Sequence, residues 1–127
     1  MEAKEFRIGN SVKISGSHDI VSIASIARIW FQPKFMGKAC TRRLVSDIIP
    51  VWIDEDILLK CGFEKDKDKR ISGNYSIFIS TFEFYFCFGN GICEFYLNRT
   101  DNIKIKYLHQ LQNLYFSLTG KELEVIL

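Results

Sequence analysis

The chain has 127 residues, of which 47% are hydrophobic and 25% charged, a globular composition that excludes a disordered or fibrous protein. Its net charge of +2 is unevenly distributed, with eight Lys and Arg against four Asp and Glu in residues 1–50 and nine against eleven in residues 51–127. The positive charge of the first half is compatible with an anionic partner.

The N-terminal residues alternate in charge and form no apolar segment, so we expect no signal peptide. No uncharged apolar run reaches the length of a membrane span either, which predicts a cytoplasmic protein with no membrane partner. The four cysteines form no C-x-x-C pair, the spacing typical of zinc ribbons and thioredoxin-like proteins. In the reducing cytoplasm we therefore expect free thiols.

The first half, residues 1–50, has the pattern of a small β subdomain. Val12 and Ile14 alternate with polar residues after a bend at Gly9, which predicts the first strand of an SH3-like β-barrel or of a meander. The β-branched residues of Ile20–Phe31 favour a second strand. The apolar spacing of the same segment also fits a helical stripe, so strand and helix remain alternatives, with the strand preferred.

Two further segments complete the first half. Pro33 and Gly37 predict a loop over Gln32–Lys38, because both residues interrupt regular structure. Thr41–Ile49 predicts another strand, and Pro50 ends the first half.

The second half, residues 51–127, predicts an α+β subdomain that shares a core with the first, so that the chain forms a single compact unit. Ile53–Phe63 has the pattern of a short helix. Asp54 is a good N-cap, acidic residues follow in the first turn, and Gly62 can adopt the left-handed conformation that ends a helix. The alternating charges of Glu64–Arg70 indicate a solvated loop.

A hairpin dominates the antiparallel sheet predicted next. Two apolar runs flank Asn90-Gly91, a dipeptide that favours a two-residue hairpin turn. Such a turn pairs Phe86 with Phe95 and leaves one face of the hairpin wholly apolar, whereas a one-residue slip would mix the two faces. It also places two cysteines on opposite faces, which excludes a disulfide between Cys87 and Cys93.

Shorter elements surround this hairpin. Alternating apolar and polar residues predict strands over Tyr75–Ile79 and Ile103–Lys106. Tyr107–Leu118 predicts a helix that ends near Gly120. A final edge strand is indicated by Leu123, Val125 and Leu127.

The predicted C-terminal helix has an apolar stripe on one side and no charged residue on the other. A solvated helix face normally carries Lys and Glu, so we expect this face to be covered. One alternative is an intramolecular cover, formed by a loop or by the N-terminal half. The other is a protein interface, homodimeric or with a foreign partner. The candidate interface residues are His109, Gln112, Asn113 and Phe116.

The segment Ile105–Leu123, with the sequence IKYLHQLQNLYFSLTGKEL, resembles the C-terminus of small uncharacterised proteins encoded in Bacteroides-type genomes, often within prophages and other mobile elements. Arg7–Asn10 with Val12, and Ile57–Phe63, carry the same resemblance. Gln32–Arg43 has no counterpart in it. The resemblance implies a phage-linked origin, and it brings neither an activity nor catalytic residues.

No motif with catalytic content is found: the chain has no G-x-S-x-G, phosphate-binding loop or H-E-x-x-H. His109 has no acid or cysteine at helical spacing with which to bind a metal. Glu83 and Glu94 fall on one face of the hairpin with two tyrosines, which makes a polar aromatic patch and only a weak candidate for acid–base chemistry. We therefore predict a protein that is not an enzyme and that has no cofactor.

Aromatic and positively charged residues interleave in the first half, a combination that binds single-stranded nucleic acid by stacking and phosphate contact. The candidate binding residues are Trp30, Lys34, Phe35, Lys38, Arg42 and Arg43. Two functions follow. The first is a non-enzymatic interaction protein that binds an unknown protein partner or self-associates through the C-terminal helix. The alternative is a nucleic-acid-binding accessory protein that uses the basic first half.

Overall fold

The computed structural model describes residues 5–28, 30–66, 73–89 and 92–126. Within these ranges the chain is an α+β protein whose regular structure consists of two antiparallel sheets and two α-helices. This confirms the predicted class. Neither of these helices is long and apolar enough to cross a membrane.

The chain divides into two compact units. The first consists of Met1–Trp52 and Tyr107–Leu114, and the second of Ile53–Lys106 and Tyr115–Leu127. The break after Trp52 lies close to Pro50, where the sequence indicates the end of the first half. A core common to the two halves stays a prediction.

The first unit contains one antiparallel sheet of six described strands: β1 (Ser11–Ile14), β2 (Ile20–Ile26), β3 (Trp30–Phe35), β4 (Lys38–Ala39), β5 (Arg43–Leu44) and β6 (Ile48–Ile49). Their order is β4-β3-β2-β1-β6, and β5 also pairs with β3. The strands from β1 to β4 therefore form a meander.

The SH3-like barrel is not confirmed, because no sheet in the described residues closes on itself. The first sheet ends at β4 on one side and at β6 on the other, and each of these strands has two residues. Closing a barrel needs the end strands to pair along a tilted, staggered seam. The described pairing instead supports the meander, the other alternative.

The strand predicted over Ile20–Phe31 is right in type and wrong in extent. It consists of β2, which ends at Ile26, and the start of β3, which begins at Trp30. The register between β2 and β3 shifts between Ile23 and Ser25, which marks a β-bulge. The helical alternative is therefore wrong for this segment.

The loop predicted over Gln32–Lys38 is wrong, because most of it belongs to β3. Pro33 lies inside the strand beside the bulge of β2, a position where a missing backbone N–H is tolerated. The turn is confined to Met36 and Gly37, whose φ angles are +50° and +80°. Two consecutive positive φ angles are what a two-residue hairpin of type I′ requires.

The strand predicted over Thr41–Ile49 is interrupted. A 3-10 turn at Val45–Asp47 separates β5 from β6, and the Val45 side chain is buried. The backbone N–H of Ser15 donates to the Asp47 carbonyl at 2.9 Å, next to the pairing of β6 with β1. The turn thus connects β5, which pairs with β3, to β6, which pairs with β1. The core of this unit contains Phe6, Val12, Ile14, Val21, Ile23, Phe31, Val45 and Ile48.

The second unit contains the other sheet, with the described strands β7 (Glu64–Lys65), β8 (Asn74–Ile79), β9 (Phe82–Gly89), β10 (Ile92–Leu97) and β11 (Asp101–Ile103) in the order β11-β10-β9-β8-β7. Phe86 lies opposite Phe95, as a two-residue turn requires, which confirms the predicted register. Residues 90–91 themselves lie outside the described residues. Cys87 pairs with Glu94 and Cys93 with Phe88, so the two cysteines face opposite sides, and both are free thiols.

The helix α1 (Glu55–Lys60) begins where the sequence predicts. The Asp54 carboxylate accepts a hydrogen bond from the Ile57 N–H at 2.8 Å, which satisfies one of the free donors of the first turn. Gly62 has a φ of +88°, the left-handed conformation expected after the last turn. The loop predicted over Glu64–Arg70 begins instead with β7, and residues 67–70 lie outside the described residues.

The helix α2 (Leu108–Thr119) confirms the predicted C-terminal helix, and the Gly120 N–H closes its end by donating to the Phe116 carbonyl at 2.8 Å. The strand predicted over Ile103–Lys106 is displaced toward the N-terminus. The backbone carbonyl of the last residue of the predicted strand, Lys106, accepts a hydrogen bond from the Ile53 N–H at 3.0 Å.

The final edge strand is wrong for the described residues 121–126, which contain no strand. Leu123 is buried, but the Ile126 N–H donates to the Lys60 carbonyl at the end of α1, at 2.9 Å. The backbone therefore bonds to a helix end instead of a sheet edge. Leu127 lies outside the described residues.

Candidate nucleic-acid interface

The side chains of β3 alternate between the two faces of the sheet. Phe31 and Pro33 are buried on the inner face. Trp30, Gln32 and Lys34 therefore occupy the outer face, because successive side chains of a strand point to opposite sides. The Trp30 side chain is accessible, with 46% of the residue exposed. The outer face of β3 thus combines an accessible aromatic ring, an amide and an ammonium group.

A groove of about 260 Å³ lies beside this face, and we call it the Trp30 groove. Its lining consists of Ser25, Ile26, Ala27, Trp30, Phe31, Gln32 and Arg42. The groove therefore brings an aromatic residue, Trp30, an amide residue, Gln32, and a basic residue, Arg42, to one small concavity. Arg42 is exposed and lies in the segment between β4 and β5, so that the pairing of β5 with β3 brings it to the groove.

Backbone hydrogen bonds fix the elements that form the groove. The Ala27 N–H donates to the Trp30 carbonyl at 2.8 Å, which closes the turn between β2 and β3. The Cys40 N–H donates to the Pro33 carbonyl at 2.8 Å, and the side-chain Nε2 of Gln32 donates to the Cys40 carbonyl at 3.2 Å. The segment that carries Arg42 is thereby tied to Gln32 and Pro33 of β3.

The structure separates the six candidate nucleic-acid-binding residues into two groups. Trp30 and Lys34 lie on the outer face, and Arg42 joins Trp30 in the groove. The remaining three, Phe35, Lys38 and Arg43, belong to the inner side by their pairing. Phe35 packs against the core and lies opposite Lys38, and Arg43 lies opposite the buried Phe31.

Two of these three residues line a second cavity, of about 330 Å³. Phe35 and Arg43 line it together with apolar residues of β1 and β2. The Arg43 guanidinium is also within 3.8 Å of the Asp47 carboxylate, a partly exposed ion pair that reduces the free positive charge there. This cavity is therefore less suited to an anionic partner than the Trp30 groove.

Three of the four candidate interface residues on α2 are covered by the chain itself. Gln112 is 2% exposed, and its Oε1 accepts from the Ser11 N–H at 2.8 Å while its Nε2 donates to the Ser11 hydroxyl at 3.1 Å. The Asn113 Oδ1 accepts from the Nε of Arg7 at 3.1 Å and from the Nδ2 of Asn10 at 2.8 Å. The uncharged face of α2 is thus covered here by the N-terminal half, the intramolecular alternative.

His109 lies on the same covered face and is 1% exposed. Its ring centroid is 4.5 Å from that of Phe6 and 5.7 Å from that of Tyr107. Its Nδ1 has no hydrogen-bond partner in the described part of the chain. Burial lowers the pKa of this histidine, and the charge of Glu5 opposes the shift in part. The remaining candidate, Phe116, is 39% exposed.

The side chains of the polar aromatic patch on the second sheet contact one another and the neighbouring Arg99. The Arg99 Nε is 2.7 Å from the Glu83 Oε1, and the guanidinium lies 4.5 Å above the Tyr85 ring. The Tyr96 hydroxyl donates to the Glu94 carboxylate at 2.6 Å. Burial raises the pKa of Tyr85 to about 12. Among the described residues no group of three His, Cys, Asp or Glu could hold a metal ion.

Sequence reasoning missed Gln32 and Ser25 as lining residues. Pro33 beside Gln32 indicates a loop there, whereas the alternation of Trp30, Gln32 and Lys34 is the signal that identifies the outer face of a strand. No protein-family model matches the chain, and no curated protein or solved structure matches it either.

Proposed function

We propose that this protein is a non-enzymatic module that binds single-stranded nucleic acid at the Trp30 groove. The observation that carries the proposal is the juxtaposition of an exposed Trp30 with Arg42 in one groove, on a strand that also presents Lys34 outward. The net positive charge of the first 50 residues supports an anionic ligand.

The physical basis is stacking combined with phosphate contact. A base stacked on an aromatic side chain contributes about 1–3 kcal/mol, and every base has a face that can stack. A guanidinium beside the stacked base is placed to contact the phosphate that follows it. The Trp30 groove supplies both groups without a reactive side chain.

Two finer statements belong to the same proposal. An SH3-like arrangement of the first unit remains a proposal, and its support is the alternation of Val12 and Ile14 with polar residues after the bend at Gly9. A mobile-element origin is supported by the sequence resemblance of the C-terminal segment. A small nucleic-acid-binding accessory protein is consistent with both.

Fluorescence anisotropy of labelled single-stranded oligonucleotides, measured over a range of salt concentrations, tests the proposal. We expect binding at low salt that weakens steadily as salt is added, because phosphate contacts release counterions. Trp30→Ala should weaken binding by about tenfold, and Arg42→Gln should weaken it and reduce the salt dependence.

Two control variants test whether binding depends on the Trp30 groove or only on exposed aromatic rings and positive charge in general. Trp52→Ala removes the other exposed tryptophan of the same unit, and Lys104→Gln removes an exposed charge in the second unit. Neither should change the affinity once circular dichroism shows that the variants are folded. Absence of binding by the wild type at low salt would exclude the proposal.

Protein interaction through α2 is the alternative function, and the exposure of Phe116 is the observation that still favours it. Light scattering of the wild type and of Phe116→Lys tests it. A dimer that Phe116→Lys dissociates would support self-association, and a monomeric mass for both would exclude it.

A further inference from the structure

The outer face of the first sheet continues from β3 across β2 to β1. Lys34 lies opposite Ser22, and Ser22 lies opposite Ser11. Residues directly opposite each other on antiparallel strands share a face, so these three side chains belong to the same side of the sheet. Lys13 is two positions along β1 from Ser11, and its neighbours on either side are buried in the core. Lys13 therefore also lies on the outer face.

Positive charge on β1, β2 and β3 is confined to this outer face. The charged residues of these three strands are two lysines, Lys13 and Lys34. Lys34 is exposed and Lys13 is partly exposed. Acidic residues beside the sheet lie elsewhere, since Asp19 lines the second cavity and Asp47 pairs with Arg43. The outer face thus presents a positive charge that complements an anionic ligand.

Trp30, Lys34 and Lys13 follow one diagonal across the sheet. Lys34 is four positions from Trp30 along β3, about 13 Å at the rise of a strand. Lys13 lies two strands away, about 10 Å to the side. It pairs with Ile20, which is beyond Ser22 on the side away from Trp30, so it continues the same direction. The diagonal from Trp30 to Lys13 is therefore about 22 Å long.

We propose that the bound single strand continues from the Trp30 groove along this diagonal, and that Lys13 contacts a phosphate at its far end. The inference rests on the proposed nucleic-acid binding and adds the path of the strand, its length and a further binding residue. A positively charged path that follows the backbone, combined with an aromatic residue for stacking, is the usual arrangement of single-strand binding surfaces. At about 3.4 Å per stacked nucleotide, the diagonal accommodates about six or seven nucleotides.

Fluorescence anisotropy with a labelled thymidine trinucleotide and a labelled thymidine octanucleotide, over a range of salt concentrations, tests the path. The trinucleotide spans about 10 Å and the octanucleotide about 27 Å, so only the octanucleotide reaches from the Trp30 groove to Lys13. Each contacted phosphate of a single strand adds about 0.7 to the slope of log affinity against log salt. We expect a steeper slope for the octanucleotide, and equal slopes for the two oligonucleotides would overturn the inference.

Substitution of Lys13 assigns the extra salt dependence to one residue. Lys13→Gln should weaken binding of the octanucleotide about threefold, as loss of an exposed ion pair does. It should also lower the slope by about 0.7 and leave the trinucleotide unaffected. Lys13→Arg keeps the charge and should retain the affinity for the octanucleotide, which distinguishes a lost phosphate contact from a local structural change.

Lys38→Gln is the matched control, because it removes the same charge from the other side of the same sheet. Lys38 is exposed and lies opposite Phe35, which packs against the core. This variant should bind both oligonucleotides as the wild type does, once circular dichroism shows that it is folded. An effect of Lys38→Gln as large as that of Lys13→Gln would overturn the inference, and so would an equal loss of both oligonucleotides in Lys13→Gln.

The outcomes separate the two proposals. Binding of both oligonucleotides that Trp30→Ala weakens and Lys13→Gln leaves unchanged would preserve the proposed function and overturn the path to Lys13. No binding of either oligonucleotide at low salt would overturn both and would leave protein interaction as the function to pursue.

Discussion

Gln112 shows how one side chain can decide whether a surface is open to a partner. Its amide oxygen and amide nitrogen both bond to Ser11, 101 positions away in sequence. A polar residue on the outside of a predicted helix suggests an interface, yet here its hydrogen bonds are made within the chain. The residue therefore contributes to stability and is not available for recognition.

Substitution of Gln112 by Leu should destabilise the protein. The Ser11 N–H would remain buried without its acceptor, which costs about 1–3 kcal/mol of the free energy of unfolding. Urea denaturation measures the difference. Ser117→Ala, at an exposed position of the same helix, should change stability by less than about 0.5 kcal/mol. Equal effects of the two substitutions would contradict the assigned role of Gln112.

His109 should make stability depend on pH. Burial lowers its pKa in the folded state below the ordinary value of 6.5, so the unfolded chain binds the proton more readily. The contribution of His109 is fully present above pH 6.5 and decreases as pH falls through that value toward the folded pKa. Thermal denaturation between neutral and mildly acidic pH should show a falling melting temperature. His109→Phe should flatten this dependence, and an unchanged slope would contradict it.

At the scale of elements, the sequence pattern predicted an element correctly wherever that element is held by hydrogen bonds between residues close in sequence. The cap of α1 joins Asp54 to a residue three positions away, and the register of the β9–β10 hairpin follows from alternation around a two-residue turn. Pro33 shows the limit of such patterns. Its place inside β3 depends on a bulge in another strand, which the local sequence does not display.

The cap of α1 yields a prediction at this scale. Asp54→Ala should lower the free energy of unfolding by about 1 kcal/mol, because the Ile57 N–H loses its acceptor and the first turn loses a favourable charge. Asp56→Ala is the matched control. It removes an exposed ion pair with Lys60 at 2.9 Å and should cost about 0.4 kcal/mol. Chemical denaturation compares them, and a larger effect of Asp56→Ala would contradict the capping assignment.

At the scale of the whole molecule, the first unit is discontinuous in sequence. It includes Tyr107–Leu114, in which Leu108 and Leu111 are buried. The division of the sequence at Pro50 did not anticipate this, because the pairing of Ser11 with Gln112 connects distant segments. The groove residues were partly predictable, since an aromatic ring and a guanidinium mark Trp30 and Arg42 as candidates from residue type alone. Their meeting in one groove depends on the pairing of β5 with β3.

A fragment of residues 1–52 should therefore remain largely unfolded. It contains the six-stranded sheet but lacks Tyr107–Leu114, which belongs to the same unit and whose Gln112 bonds to Ser11 of β1. Amide proton dispersion in a two-dimensional NMR spectrum distinguishes the states. Appending residues 107–119 through a flexible Gly/Ser linker should restore dispersion, because it returns the missing partners of Ser11. A dispersed spectrum for the unextended fragment would contradict this assignment.

The two ends of the second sheet have a consequence for encounters between folded molecules. The strands β8, β9 and β10, which carry the aromatic residues of the sheet, lie inside, while the outermost described strands, β7 and β11, have two and three residues and carry Glu64, Lys65 and Asp101. Short, charged outer strands offer a poor template for strand addition by a neighbouring chain. Concentrated native protein should therefore resist fibril growth, and the hazard should begin when β7 or β11 detaches. Conditions that keep β7 and β11 paired should therefore protect stored protein from fibril formation better than conditions that stabilise only the aromatic core.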